Sequence, residues 1–140
     1  MSALPNNVRF PSAASEFIHV SSGPYLAVYR GHEAVTVFRV RKLRVFLQLM
    51  EHPEVLLCRW YRITNQMGRI SARPSSDLVR ELQAVVGHRV RCDRIPVSEF
   101  GSSPFLRVEV RDVTSNARQR PLSGPNIYSV VDQILGSERP

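Results

Sequence analysis

The 140-residue chain predicts one mainly-β domain: a small five-stranded barrel with a helix between the third and fourth strands and an additional helix at the C-terminus. Two kinds of pattern predict it. Long stretches alternate polar with β-branched, aromatic or other apolar residues, as in "YLAVYRGHEAVTVFRV" from Tyr25 and "FLRVEVRDV" over 105–113. Only two stretches carry helical spacing, and turn residues separate the elements. The 43% hydrophobic and 22% charged content is ordinary for a globular protein. A domain of this length buries roughly 70% of its unfolded surface without help from metals or disulfides.

Residues 1–24, rich in Ser, Pro, Ala and Asn, read as an irregular N-terminal arm with a short strand at "EFIHV" (16–20). Strand one starts at Tyr25. Gly31 inside it predicts a bulge or sharp coil that lets one long strand serve both halves of a barrel. A basic turn, "RVRKLR" (39–44), leads to strand two, "RVFLQLM" (44–50). There Val45, Leu47 and Leu49 point one way and Arg44, Phe46, Gln48 and Met50 the other. Pro53 in "EHPE" (51–54) turns the chain into strand three, "VLLCRWYRIT" (55–64). "TNQMGRISARPSS" reads as a loop. "SSDLVRELQAVVG" reads as a helix, with Ser76 as N-cap, Asp77 and Glu81 toward the positive end of the dipole, and Gly87 closing it. "HRVRCDRI" (88–95) predicts a fourth strand, "PVSEFGSSP" (96–104) a loop and 105–113 the fifth strand. After a second arginine-bearing loop, Ile127, Val130, Val131, Ile134 and Leu135 fall at i, i+3, i+4, i+7 and i+8, the apolar stripe of an amphipathic helix. The expected organisation is an arm (1–24), a barrel (25–113) and a loop with C-terminal helix (114–140).

Strand, strand, strand, helix, strand, strand is the order of the OB-fold, a Greek-key barrel, and residues 25–113 resemble it in topology. The meander "PYLAVYRGHEAVTVFRVRKLRVFLQLM…VLLCRWYRI" also looks like the start of single-stranded-DNA-binding proteins of phages and integrating mobile elements. That resemblance implies non-catalytic coating and protection of single-stranded DNA in replication or recombination, by a homo-oligomer. It implies binding on strands two and three and on the loops between strands one and two and between strands four and five. Bacterial members usually end in an acidic tail tipped by an aromatic residue; this chain ends "ILGSERP", which puts partner recruitment by that route in doubt.

The charge agrees with a phosphate-bearing partner. Nineteen bases against twelve acids leave +7, and eighteen of the nineteen are arginine, Lys42 being the one lysine. A GC-rich genome would account for the arginine bias but not for the net charge. Guanidinium groups bind phosphate bidentately and stack on bases. Binding a single strand needs such cations together with aromatic faces. The candidates are Tyr25 and Tyr29 on strand one, Arg39, Arg41 and Lys42 in the basic turn, Arg44 and Phe46 on strand two, and Phe100 in the loop between strands four and five. On strand three the pleat allows either Trp60 with Arg62 or Arg59 with Tyr61 to face outward. Arg59 facing inward would bury a charge that needs a partner. Arg69 and Arg73 are further candidates; like Arg118 and Arg120 they sit on expected mobile loops, where a generic phosphate contact and plain solvation are equal readings. Arg89, Arg91, Arg107 and Arg111 interleave with Asp93 and Glu109 and read as members of cross-strand ion pairs.

Nothing points to catalysis: there is no phosphate-binding glycine loop, HExxH pair, nucleophile elbow or acidic cluster for magnesium. No metal site or cofactor is expected. Cys58 and Cys92 read as buried thiols in a reducing compartment. The absence of a signal-like segment or an apolar run of about 18 residues predicts a cytoplasmic protein without membrane contact. The alternative function is a protein-interaction module in a larger assembly, using the C-terminal helix stripe and the barrel exterior, with the arginines only solvating the surface. RNA is the alternative nucleic acid.

Overall fold

The computed structural model describes residues 19–66, 68–114 and 128–138. It contains β1 (Gly23–Val37), β2 (Val40–Leu49), β3 (Leu56–Arg62), β4 (Thr64–Gln66), β5 (Arg69–Ser71), α1 (Asp77–Val86), a 3-10 helix (Val97–Ser102), β6 (Phe105–Val113) and β7 (Tyr128–Glu138). Five strands make one antiparallel sheet in the order β3-β2-β1-β6-β7, while β4 and β5 form a separate hairpin. The sheet curls until β3 lies against β7, with α1 packed on both; among the described residues no ladder joins these two strands.

The curl starts at Gly31. The register of β1 against β2 shifts between Tyr29 and Gly31, and Gly31 holds φ +130, a conformation that side-chain-bearing residues rarely adopt. N-terminal to this bulge β1 also pairs with β6; beyond it β1 pairs only with β2. The hairpin then turns through Phe38 and Arg39, at φ 49 and 66. Two left-handed residues match the twist of a tight hairpin, but Asn-Gly is the usual solution, and each non-glycine residue there costs about 1–2 kcal/mol. Arg41 and Lys42, expected in this turn, are instead paired within β2, opposite Thr36 and Val35.

Alternation puts Leu43, Val45, Leu47 and Leu49 of β2 into the core, fully buried. They meet Leu57 and Tyr61 of β3, Leu106, Val108 and Val110 of β6, and Leu78, Val79, Leu82 and Val85 of α1. The helix begins and ends as its sequence requires. Ser76 Oγ accepts the Val79 amide at 3.3 Å, and Gly87, at φ 79, donates its amide to Gln83 O at 2.8 Å.

Three expectations are corrected. Residues 88–95 form no strand: His88–Ile95 runs as irregular chain beside the β4–β5 hairpin, held by Ala72 N to Cys92 O and Ile95 N to Ile70 O. The 64–76 stretch, expected as loop throughout, contains that hairpin. The C-terminal helix is absent; 128–138 is β7, the outermost strand beside β6, so the sheet extends past 113 and includes the C-terminal segment. The physical reason is a pair of register shifts. β7 carries extra residues at Asp132 and Leu135, because Val110 pairs with Val131 and Glu109 with Gln133, then Val108 with Ile134 and Arg107 with Gly136. Each bulge lengthens the two-residue repeat locally, so Val131 and Ile134, three apart, both enter the core and imitate a helical stripe. The predicted strand at 16–20 and the loop bearing Arg118 and Arg120 lie wholly or largely outside the described residues; His19 and Val20 are not in a strand.

Candidate nucleic-acid interface

The pairing of β2 with β3 decides which way strand three faces. Leu47 pairs with Leu57, Val45 with Arg59 and Leu43 with Tyr61, so Arg59 and Tyr61 share the core face. Arg44 pairs with Trp60 and Lys42 with Arg62, so these four share the outer face. Trp60 is partly exposed and Arg62 exposed.

Arg44 is the centre of that face. Its guanidinium carbon lies 5.0 Å from the Phe46 ring centroid and 5.4 Å from that of Trp60, while its Nη2 donates to Glu33 Oε2 at 3.0 Å. Each cation–π contact of this kind contributes about 0.5–1 kcal/mol at a surface. Phe46 shares the outer face but is buried, so its ring floors Arg44 instead of standing free. Among the described residues Arg39, Lys42 and Arg62 make no ion pair, and the Nε atoms of Arg41 and Arg44 are buried without a hydrogen-bond partner. Arg41 belongs to the core-face row at the mouth of the sheet, its Nη1 on Thr36 Oγ1 at 2.9 Å.

The opposite edge is electrically different. Arg107 pairs with Glu138 at 3.4 Å and Arg111 with Asp132 at 2.7 Å, across β6 and β7. Cross-strand ion pairs therefore occupy Arg107 and Arg111, with Glu138 and Asp132 as partners rather than Glu109. Positive charge without a partner gathers where β1 turns into β2 and β3 ends. The β4–β5 hairpin extends this end, carrying Arg69 exposed on β5, with Arg73 exposed just after it; the charge here is mixed, because Asp93, paired with Arg91 at 2.7 Å, lies close enough to Arg69 to feel its charge.

Several expected platform residues face the other way. Tyr25 and Tyr29 do share a face with Ala27, but Ala27 is fully buried and both rings pack against the core. The Tyr25 hydroxyl donates to Ser21 O at 2.7 Å, and the Tyr29 hydroxyl lies 2.6 Å from His32 Nδ1. Burial pushes the Tyr29 pKa up to about 12 and pulls that of His32 down. Phe100 is fully buried in the 3-10 helix, stacked on Tyr61 with centroids 6.2 Å apart, and offers no face to a base. It also lies outside the loop between the fourth and fifth strands of the sheet, since that loop now follows β6.

Arg59 is mostly withdrawn from solvent, its side chain 12% exposed, with compensation that the sequence did not disclose. Glu81, itself 2% exposed, takes Arg59 Nε on Oε1 at 3.1 Å and Nη2 on Oε2 at 2.5 Å. The same Oε1 accepts the Tyr61 hydroxyl at 2.9 Å and the Ile134 amide at 2.6 Å. One carboxylate thus joins α1, β3 and β7 where the curled sheet meets itself. Burial disfavours the Arg59 charge, but Glu81, Tyr61 and Asp77 outweigh it and hold its pKa above the usual value. Burial, then the Glu81 charge, drives the Tyr61 pKa well above its ordinary value. The signal for Glu81 was its place at i+3 from Leu78 and one residue before Leu82, on the apolar side of the helix; only the fold supplies its partners.

Cys58 is buried, Cys92 partly so, and both are free thiols. Among the described residues no group of three His, Cys, Asp or Glu is placed to hold a metal ion, and no helix is long and apolar enough to cross a membrane. No family model matches the chain, and no curated protein matches it.

Proposed function

We propose that the protein binds single-stranded DNA on the outer face of β2 and β3, with Trp60 as the stacking platform and Lys42, Arg44 and Arg62 as its cations. The observation that carries this reading is the asymmetry of charge: among the described residues Lys42 and Arg62 stand beside a partly exposed tryptophan without acidic partners, while Arg107 and Arg111 at the other edge are ion-paired. Base stacking on an aromatic side chain contributes about 1–3 kcal/mol per base, and phosphate contacts add a salt-dependent term.

The strand order supports an OB-fold assignment. Three meander strands, a helix, and two further strands whose last returns to the third are what that barrel requires, with β6 and β7 as its fourth and fifth strands. In that frame the proposed face is the one such barrels use for oligonucleotides. A protein-docking module was motivated by a C-terminal helix stripe, and Val131 and Ile134 of that stripe are buried in the core.

The test is a titration of Trp60 emission with oligo(dT), competed with duplex DNA and single-stranded RNA at several salt concentrations. Quenching that is released by added salt and competed poorly by duplex is the expected result. No quenching and no mobility shift at low salt would sink the reading, and preferential competition by RNA would reassign the ligand.

A further inference from the structure

The most exposed large apolar side chain in the described structure is Phe38, at 89%. It makes no ring contact among the described residues. It sits at the apex of the β1–β2 hairpin in the left-handed region, next to Arg39 in the same region. A bulky residue with positive φ is a backbone outlier, and outliers persist where something other than stability keeps them. A solvated aromatic ring also contributes nothing to the core. Both costs vanish with Asn-Gly, the ordinary sequence for this turn.

The surroundings indicate what such a ring would meet. Arg39 adjoins it, and Lys42 and Arg62 follow on the outer face within the next paired positions of β2 and β3. From Val40, at the turn, to Arg44, opposite Trp60, the strand runs roughly 13 Å. A flexible single strand lying on Trp60 can reach the turn, over a path lined by cations.

We propose that Phe38 is a second stacking residue, a ring that the turn holds out to insert between unpaired bases at the far end of the Trp60 track. The proposal rests on the single-strand reading of the outer face and adds a contact that the turn's geometry, rather than the strand pattern, identifies. The left-handed turn fixes where the ring's Cα–Cβ bond points, out from the hairpin apex into solvent.

The test uses Phe38→Ala, Phe38→Leu and Phe38→Tyr in the full chain, and Phe38→Trp combined with Trp60→Phe as a single-tryptophan reporter. An exposed turn residue tolerates these changes, and urea midpoints check that the fold is kept. Phe38→Ala and Phe38→Leu should both weaken oligo(dT) binding about 5- to 150-fold, Phe38→Tyr should bind like the parent, and oligo(dT) should quench the reporter. If Phe38→Ala binds normally while Trp60 in the parent is quenched, the stacking role falls and the strand-face interface stands. If Phe38→Leu binds like the parent, the contact is not stacking and the proposal is overturned. A reporter that shifts to the blue with phosphatidylserine vesicles and ignores oligo(dT) would overturn it in favour of membrane contact. A parent protein whose Trp60 ignores oligo(dT) removes the single-strand reading, and this proposal with it.

Discussion

Arg59 and Glu81 are 22 residues apart in sequence, and in the fold the guanidinium meets the carboxylate through two of its nitrogens, with Asp77 a further 3.7 Å contact. Because Glu81 Oε1 also accepts Tyr61 and the Ile134 amide, the pair joins β3 to β7 where main-chain pairing does not. It also fixes which side of β3 faces out. With Arg59 committed inward, the pleat commits Trp60 outward.

Removing one member of this pair should therefore be costly. Glu81→Ala leaves the Arg59 charge, the Tyr61 hydroxyl and the Ile134 amide without their acceptor, and a loss of about 3–5 kcal/mol is expected. Arg59→Met should cost a similar amount. Urea unfolding of both single variants and the double variant measures it; additive losses would show that the two do not act as a pair.

Stability should fall at high pH. Tyr61 and Tyr29 both have folded pKa values above the unfolded value of 10.0, Tyr61 well above it and Tyr29 at about 12. The unfolded chain releases these protons first, so their contribution is complete below pH 10 and is lost as pH rises above it. Tyr61 sets a slope of up to about 1.4 kcal/mol per pH unit, and Tyr29 adds less because solvent reaches it. Urea midpoints between pH 9 and 12 report the slope, and tyrosinate absorbance should show two late-titrating groups; a flat profile contradicts the burial of Tyr61.

The hairpin turn should trade stability against binding. Phe38→Asn with Arg39→Gly supplies the residues that a left-handed pair favours and should stabilise the fold by roughly 1–2 kcal/mol while weakening oligo(dT) binding. A higher thermal midpoint with unchanged affinity would leave the strain without a functional reason.

Charge removal should separate the two edges of the sheet. Lys42→Ala and Arg62→Ala should each lower the slope of log affinity against log salt by roughly 1, and Arg111→Ala, whose charge Asp132 already holds, should leave it nearly unchanged. Equal effects at all three positions would indicate diffuse attraction instead of a track.

What could be read from local sequence came out largely as expected: the alternation of β2 and β6, the glycine bulge at Gly31, and the Ser76 and Gly87 boundaries of α1 each depend on neighbours a few residues away. What misled the reading was also local. The bulges at Asp132 and Leu135 gave β7 a helix-like period, and His88–Ile95 alternates like a strand although it pairs with no strand of the sheet.

The sequence by itself determined the net charge and the placement of an aromatic and arginine-rich third strand, and it left a choice between two possible faces for that strand. Only the tertiary structure decided that choice. The energy of facing Arg59 inward depends on whether a carboxylate waits there, and Glu81 reaches it only once α1 has packed against β3 and β7. Phe38 lies within the strand-like pattern that starts at Tyr25, and only the pairing of Val37 with Val40 puts a turn on it and its ring into solvent.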